Sequence, residues 1–230
     1  LAAAASFSLF LSARLRLTAL LTFGAYAAAF LLSLFLKDPP GKPEGNRRSM
    51  PPRALFRAVT ADGRFVCYLI GCAFLVEINQ VVTVFLSQIQ YAESGIPTRL
   101  LGYLYLLLTS AGVAAMGASS VGRRIGEPGL MLLAGGACLL LSVGRFALVS
   151  VPCMLAIRVS ASLLWPLMED AKNRRVRHEN RATVLSGYSM LMSLVGVFTN
   201  LLFGWLADVH IGLAMLWGAM LGGAGFVLFA

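Results

Sequence analysis

Long apolar runs nearly free of charge recur along this chain, and the charges gather in the connectors between them. A bilayer core about 30 Å thick takes roughly 20 mostly apolar residues per helical span. Residues 17–36, 65–90, 99–120, 129–144, 150–168, 183–207 and 211–230 meet or approach that length. Residues 1–12 are apolar but shorter, and are expected to be the stub of a further span. The runs are apolar on every face, whereas a transmembrane β-strand alternates polar and apolar over about ten residues. The expected fold is therefore an all-α, polytopic membrane bundle of seven spans and a stub.

Hydrophobic residues make up 58% of the chain and charged residues 13%, against about 45–50% and about 25% in soluble domains. The net charge of +9 does not point to nucleic acid. The Lys and Arg residues lie in short connectors, and no soluble segment is long enough to build a basic face. Cys67, Cys72 and Cys138 fall inside apolar stretches and Cys153 just inside another, with no C-x-x-C pair among them. They are expected to be small buried hydrophobes. With only His178 and His210, neither a metal site nor a cofactor is expected. The sequence opens at Leu1 inside one apolar run and stops at Ala230 inside another, so it is expected to be part of a longer chain.

The connectors give an orientation. The segments 37–64, 121–128 and 169–182 hold seven, two and five Lys/Arg. The connectors between them hold only Arg14, Arg16, Arg99 and Arg145. Rich and poor connectors alternate strictly, and the rich set should be cytoplasmic. The organisation expected is an end of one bundle over 1–36, a basic linker over 37–64 and a six-helix bundle over 65–230. The linker carries five prolines, and Arg53–Thr60 within it can form a short amphipathic surface helix. Gly122–Pro128 is expected as a tight turn. Arg145 is placed to snorkel to the interface.

Polar groups inside the spans are the candidate site, because an ionisable side chain in hydrocarbon normally faces a cavity or a partner. At about 100° per residue, Glu77, Gln80, Val84 and Gln88 fall within about 80° of arc, and Asn79 points away. This face either lines a cavity, with Glu77 able to carry a proton, or staples two helices by hydrogen bonds. Arg158, Ser162, Trp165 and Glu169 fall within about 60°. That face suits an aqueous path for an organic solute, or else Arg158 pairs with Glu77. Ser186, Ser189, Ser193 and Asn200 share a third face, expected to serve helix packing in preference to substrate contact. Gly135-Gly136 and Gly222-Gly223 are expected at close helix contacts. Tyr103 and Tyr105 are either interfacial or cavity-lining.

Three stretches resemble the carboxy-terminal part of a major facilitator superfamily transporter. The span ending Leu34-Phe35-Leu36-Lys37-Asp38-Pro39-Pro40, with the basic linker after it, looks like the loop joining that family's two six-helix halves, and six spans follow. Ala118–Glu127, with Arg123-Arg124-Ile125-Gly126, is similar to a degenerate copy of the family's Gly-x-x-x-Asp-Arg-x-Gly-Arg-Arg loop. It departs from that pattern, with Arg123 where the acidic residue would stand. Trp165-Pro166-Leu167 through Asn173-Arg174-Arg175, then Arg181-Ala182-Thr183-Val184-Leu185-Ser186, then Gly204-Trp205-Leu206-Ala207-Asp208, looks like the tenth and eleventh helices of many bacterial members.

The resemblance implies that residues 1–36 are the end of the fifth helix and the whole sixth, and that the spans beginning near 65 and 150 face a central cavity. It implies a monomeric secondary transporter in a bacterial cytoplasmic membrane, with the lipid bilayer, a small solute and protons as partners. Arg123, Arg124, Gly126 and Arg181 would be cytoplasmic loop and gating positions. The aromatic and aliphatic lining favours efflux over uptake. The competing classes are a non-transporting scaffold or sensor and a membrane-embedded enzyme. An enzyme is not expected, because Glu169 and Asp170 are adjacent but no further acid or His recurs at ligand spacing.

Overall fold

The computed structural model describes residues 15–35, 51–144, 146–176 and 181–229. These are almost all helical, with short turns between helices and no strand among the described residues. The apolar stub over 1–12, most of the proline-rich linker, His178 and the snorkelling position Arg145 lie outside them. The chain divides into two units, 1–49 and 50–230. The first contains α1, Leu15–Leu34, which is apolar over Ala19–Leu34.

The second unit starts with α2, Pro52–Thr60, where the sequence predicted an amphipathic helix. Leu55 and Val59 on its inner face lie against Gly187, while Arg53, Phe56 and Arg57 are exposed. Next comes α3, Gly63–Ile78, begun by an Asp62 cap whose Oδ1 accepts from the Arg64 and Phe65 amides at 3.1 and 3.2 Å. A side-chain acceptor there satisfies amides that have no partner within the helix. At Asn79–Phe85 the helix widens to a π-helix, with Leu86 N–H donating to Val81 C=O at 2.8 Å. It returns to α geometry in α4, Ser87–Glu93. Gly95, at φ 73°, then turns the chain in the left-handed region that a Cβ disfavours.

The remaining helices are α5 (Leu101–Gly117), α6 (Ser119–Val143), α7 (Ala147–Arg175), α8 (Arg181–Val209) and α9 (Ile211–Phe229). Six helices among the described residues are long and apolar enough to cross a membrane: Gly63–Phe85, Thr98–Gly117, Ser119–Val143, Ala147–Arg175, Arg181–Val209 and Ile211–Phe229. They fall on the last six predicted spans. Segments of this kind satisfy their own backbone hydrogen bonds, which a bilayer demands.

Two boundaries differ from expectation. Gly122–Pro128 is not one turn: helix runs up to a kink at Gly126, φ 72° and ψ 161°, and resumes after it. Only glycine takes that conformation cheaply, and Pro128 follows in a first turn, where a missing N–H costs nothing. The polar stretch after residue 168 is not all connector either, since α7 continues to Arg175.

The packing has a pattern. α6 packs on α9, α6 on α7, α9 on α3, α5 on α7, α8 on α3, and α3 on α7. Exchanging the set α3-α5-α6 for the set α7-α8-α9 maps these pairs onto one another, while α8 on α9, α3 on α6 and α7 on α8 also pack and have no counterpart of similar extent. The α6–α9 crossing is close because Gly135 and Gly222 meet there: a Cβ on Gly135 would stand 3.1 Å from Gly222 Cα. Small residues permit such approach. Gly136 and Gly223 face open space, so only one glycine of each expected pair serves the contact. α8 also departs from expectation. Ser186, Ser189, Ser193 and Asn200 are all exposed, and Gly187, Gly196, Thr199 and Phe203 are its buried face. Glycine brings the backbones nearer than serine does, so the glycine stripe takes the interface.

The connectors sort by end. The basic-rich ones meet: Arg175 pairs with Asp62 and lies 4.5 Å over the Phe65 ring, and Tyr68 donates to Glu127 at 3.5 Å. The basic-poor ones meet at the other end. There Gln90 donates to Gly144 C=O at 3.2 Å and to Ser150 at 3.3 Å, and Ser94 and Ser150 share a 2.6 Å hydrogen bond.

Candidate functional site

Both sequence-predicted polar faces lie on helices that touch each other, α3 with its π-helical extension and α7. Gln80, Val84 and Gln88 are exposed and Glu77 is half-buried. A π-helix closes i→i+5 hydrogen bonds, so it turns less per residue than an α-helix. A constant 100° therefore does not carry from Glu77 to Gln88. The opposite side of the same segment is the buried one. Asn79, Thr83, Ser87 and Gln90 are all under 10% exposed, and the Thr83 hydroxyl donates to Asn79 C=O at 2.7 Å. Asn79 thus points away from the exposed face, as predicted, into a polar seam that the α period alone did not outline.

Glu77 does not pair with Arg158. Its carboxylate stands against α8, where a Cβ on Gly196 would lie 2.5 Å from Glu77 Oε1. Glu77 Oε2 is buried with no hydrogen-bond partner among the described residues. Arg158 turns to α5 instead: a Cβ on Gly112 would lie 2.8 Å from Arg158 Nε and 3.0 Å from Ser162 Oγ. The two groups leave their helices toward different neighbours, which is why the expected pair is not formed.

Arg158 borders a small cleft with Thr83, Val84, Tyr105, Leu108 and Thr109. The cleft brings Val84 of the first predicted face to Arg158 of the second. Its volume is about 20 Å³, room for about one water. Ser162 is buried and Trp165 is 46% exposed. Glu169 belongs elsewhere: it accepts from Lys172 Nζ at 2.6 Å, a local pair near the end of α7. The two threonines of the cleft lie outside the predicted site, and Tyr105, expected either at the interface or in a cavity, borders the cleft. Nothing in one span's own period reveals which residues of another span it meets.

At the basic end, Arg123 and Arg124 are exposed just before the Gly126 kink. Arg181, exposed at the start of α8, donates to Asn173 Oδ1 at 2.7 Å. Cys72, Cys138 and Cys153 are buried free thiols, as expected, and Cys67 is free but exposed. No group of three or more His, Cys, Asp or Glu that could hold a metal occurs among the described residues. No family model, no curated protein and no solved structure matches this chain.

Proposed function

We propose that this chain is part of a secondary active transporter of the major facilitator type, which moves a small solute by alternating access. The observation that carries it is the exchange pattern of the bundle, in which the most extensive contacts of α3-α5-α6 and α7-α8-α9 fall into equivalent pairs. Three spans per set make the second set cross the membrane in the opposite sense to the first. Inverted repeats of this kind recur in transporters, with the solute site near the midplane at the repeat interface. Glu77 and Arg158 belong to the first helix of each set. A scaffold gains nothing from charges held at such a place.

Glu77 is the proposed proton carrier. Its Oε2 is buried without a hydrogen-bond partner among the described residues, a placement that is costly for a carboxylate with only a structural role. The basic end is taken as cytoplasmic by the positive-inside rule, and the direction as efflux.

The test is flux in proteoliposomes holding the full chain, with an imposed pH gradient and a panel of amphipathic solutes. The expected outcome is solute movement that follows the gradient and collapses with a protonophore. Solute permeability equal to that of empty vesicles across the panel would remove transport.

A further inference from the structure

We propose that Arg158 recognises an anionic group on the solute, and that the solute carries a carboxylate. This deepens the transporter proposal and rests on it for the membrane setting.

Arg158 lies eleven residues beyond Ala147, the first residue of α7. At about 1.5 Å per residue that is roughly 16 Å, near the middle of a hydrocarbon core about 30 Å thick. A charge at that depth normally has a partner. Three cations at the basic end of the bundle have theirs: Lys172 pairs with Glu169 at 2.6 Å, Arg174 with Asp170 at 2.7 Å, and Arg175 with Asp62. Arg158 has neither an ion pair nor a hydrogen bond among the described residues. The deep acid that could neutralise it, Glu77, is held against Gly196 on α8.

The polar lining of the cleft is the guanidinium, the Tyr105 phenol and the hydroxyls of Thr83 and Thr109. The Thr83 hydroxyl is spent on Asn79 C=O at 2.7 Å and the Thr109 hydroxyl on Tyr105 C=O at 2.8 Å. The donors left among the lining residues are the guanidinium and the Tyr105 phenol. Donors beside a fixed positive charge select an anion. The planar guanidinium fork matches a planar carboxylate by two parallel hydrogen bonds, which a lysine cannot reproduce. Val84 and Leu108 complete the lining; with room for about one water the cleft takes the carboxylate alone, and an apolar body would lie outside it against exposed Val84 and Tyr105. Gly112 keeps the place open, because any side chain there would press on Arg158 Nε and Ser162 Oγ.

The experiment measures thermal stabilisation of the purified full chain by benzoate, with benzamide and benzylamine as neutral and cationic counterparts and inorganic phosphate as a further anion. Benzoate should stabilise the parent, and benzamide and benzylamine should not. Arg158→Gln should weaken benzoate at least tenfold while melting no lower than the parent without ligand. Arg158→Lys should recover part of the affinity. Gly112→Ala, which keeps the charge and displaces the fork, should weaken benzoate several-fold. Equal binding of benzamide, undiminished benzoate binding by Arg158→Gln, or no binding of any probe would overturn the proposal. Binding of phosphate in preference to benzoate would overturn the carboxylate assignment.

Parallel flux assays separate the two claims. Arg158-dependent benzoate binding without flux leaves the anion site and removes transport. Flux of neutral or cationic solutes untouched by Arg158→Gln leaves transport and removes the anion site.

Discussion

Glu77 and Arg158 occupy corresponding places in the two three-helix sets, and the fold treats them differently. Each belongs to the first helix of its set and lies against a glycine on the middle helix of the other set: Glu77 at Gly196 of α8, Arg158 at Gly112 of α5. The exchange that carries α3 onto α7 carries α8 onto α5. The same device, a missing Cβ, makes room for a charged group between helices in both cases. Glu77, itself half-buried, turns one oxygen into a buried place without a partner among the described residues, while Arg158 opens onto a cleft. Whether a charge within a span is enclosed or presented is therefore decided by the neighbouring helix as much as by its own.

The enclosed side of this comparison should break most visibly. Gly196→Leu places a branched side chain where the Glu77 carboxylate lies. The variant should lose about 1–3 kcal/mol by overpacking and most of its flux, read by melting of the purified protein and by vesicle assay. A parent-like melt would mean that the glycine does not clear space for Glu77. Next in size is Glu77→Gln, which keeps the shape and removes the charge. Flux of the parent should follow an imposed pH gradient, and flux of the variant should not respond to it. An unchanged response to the gradient would take Glu77 out of the proton path.

A sharper test asks whether the two charges sense each other. A double-mutant cycle of Glu77→Gln and Arg158→Gln on stability should give a coupling within about 0.5 kcal/mol, as for independent sites. A coupling of 2 kcal/mol or so would restore the ion pair that the sequence suggested. The smallest effect is expected at Ser193→Ala on the exposed face of α8. Its stability should change by no more than about 0.5 kcal/mol, whereas a serine that served helix packing would cost more.

How much was legible from residues alone differs between fold and site. The six long apolar helices were readable, and so were the short helix before them and the sorting of basic connectors to one end. The pointing of Asn79 away from Glu77 was readable too. The π-helix at Asn79–Phe85 was not, because its residues, NQVVTVF, continue the apolar run without a proline or glycine to mark the change. Nor was the packing face of α8, where Gly187 and Gly196 make the contact and the serines stay exposed.

The sequence by itself determined that this chain forms apolar helices of membrane-spanning length, how many follow the basic linker and which connectors share an end. Those outcomes depend on segment length, apolarity and connector charge, because each helix satisfies its backbone within its own segment. Only the tertiary structure decided where Glu77 and Arg158 point, which glycines admit them, and that Thr83, Tyr105 and Thr109 meet at the arginine. Such pairings join residues far apart in the chain, and they depend on how each helix is rotated about its axis. That rotation is fixed by interdigitation with neighbouring helices, which no span carries in its own sequence.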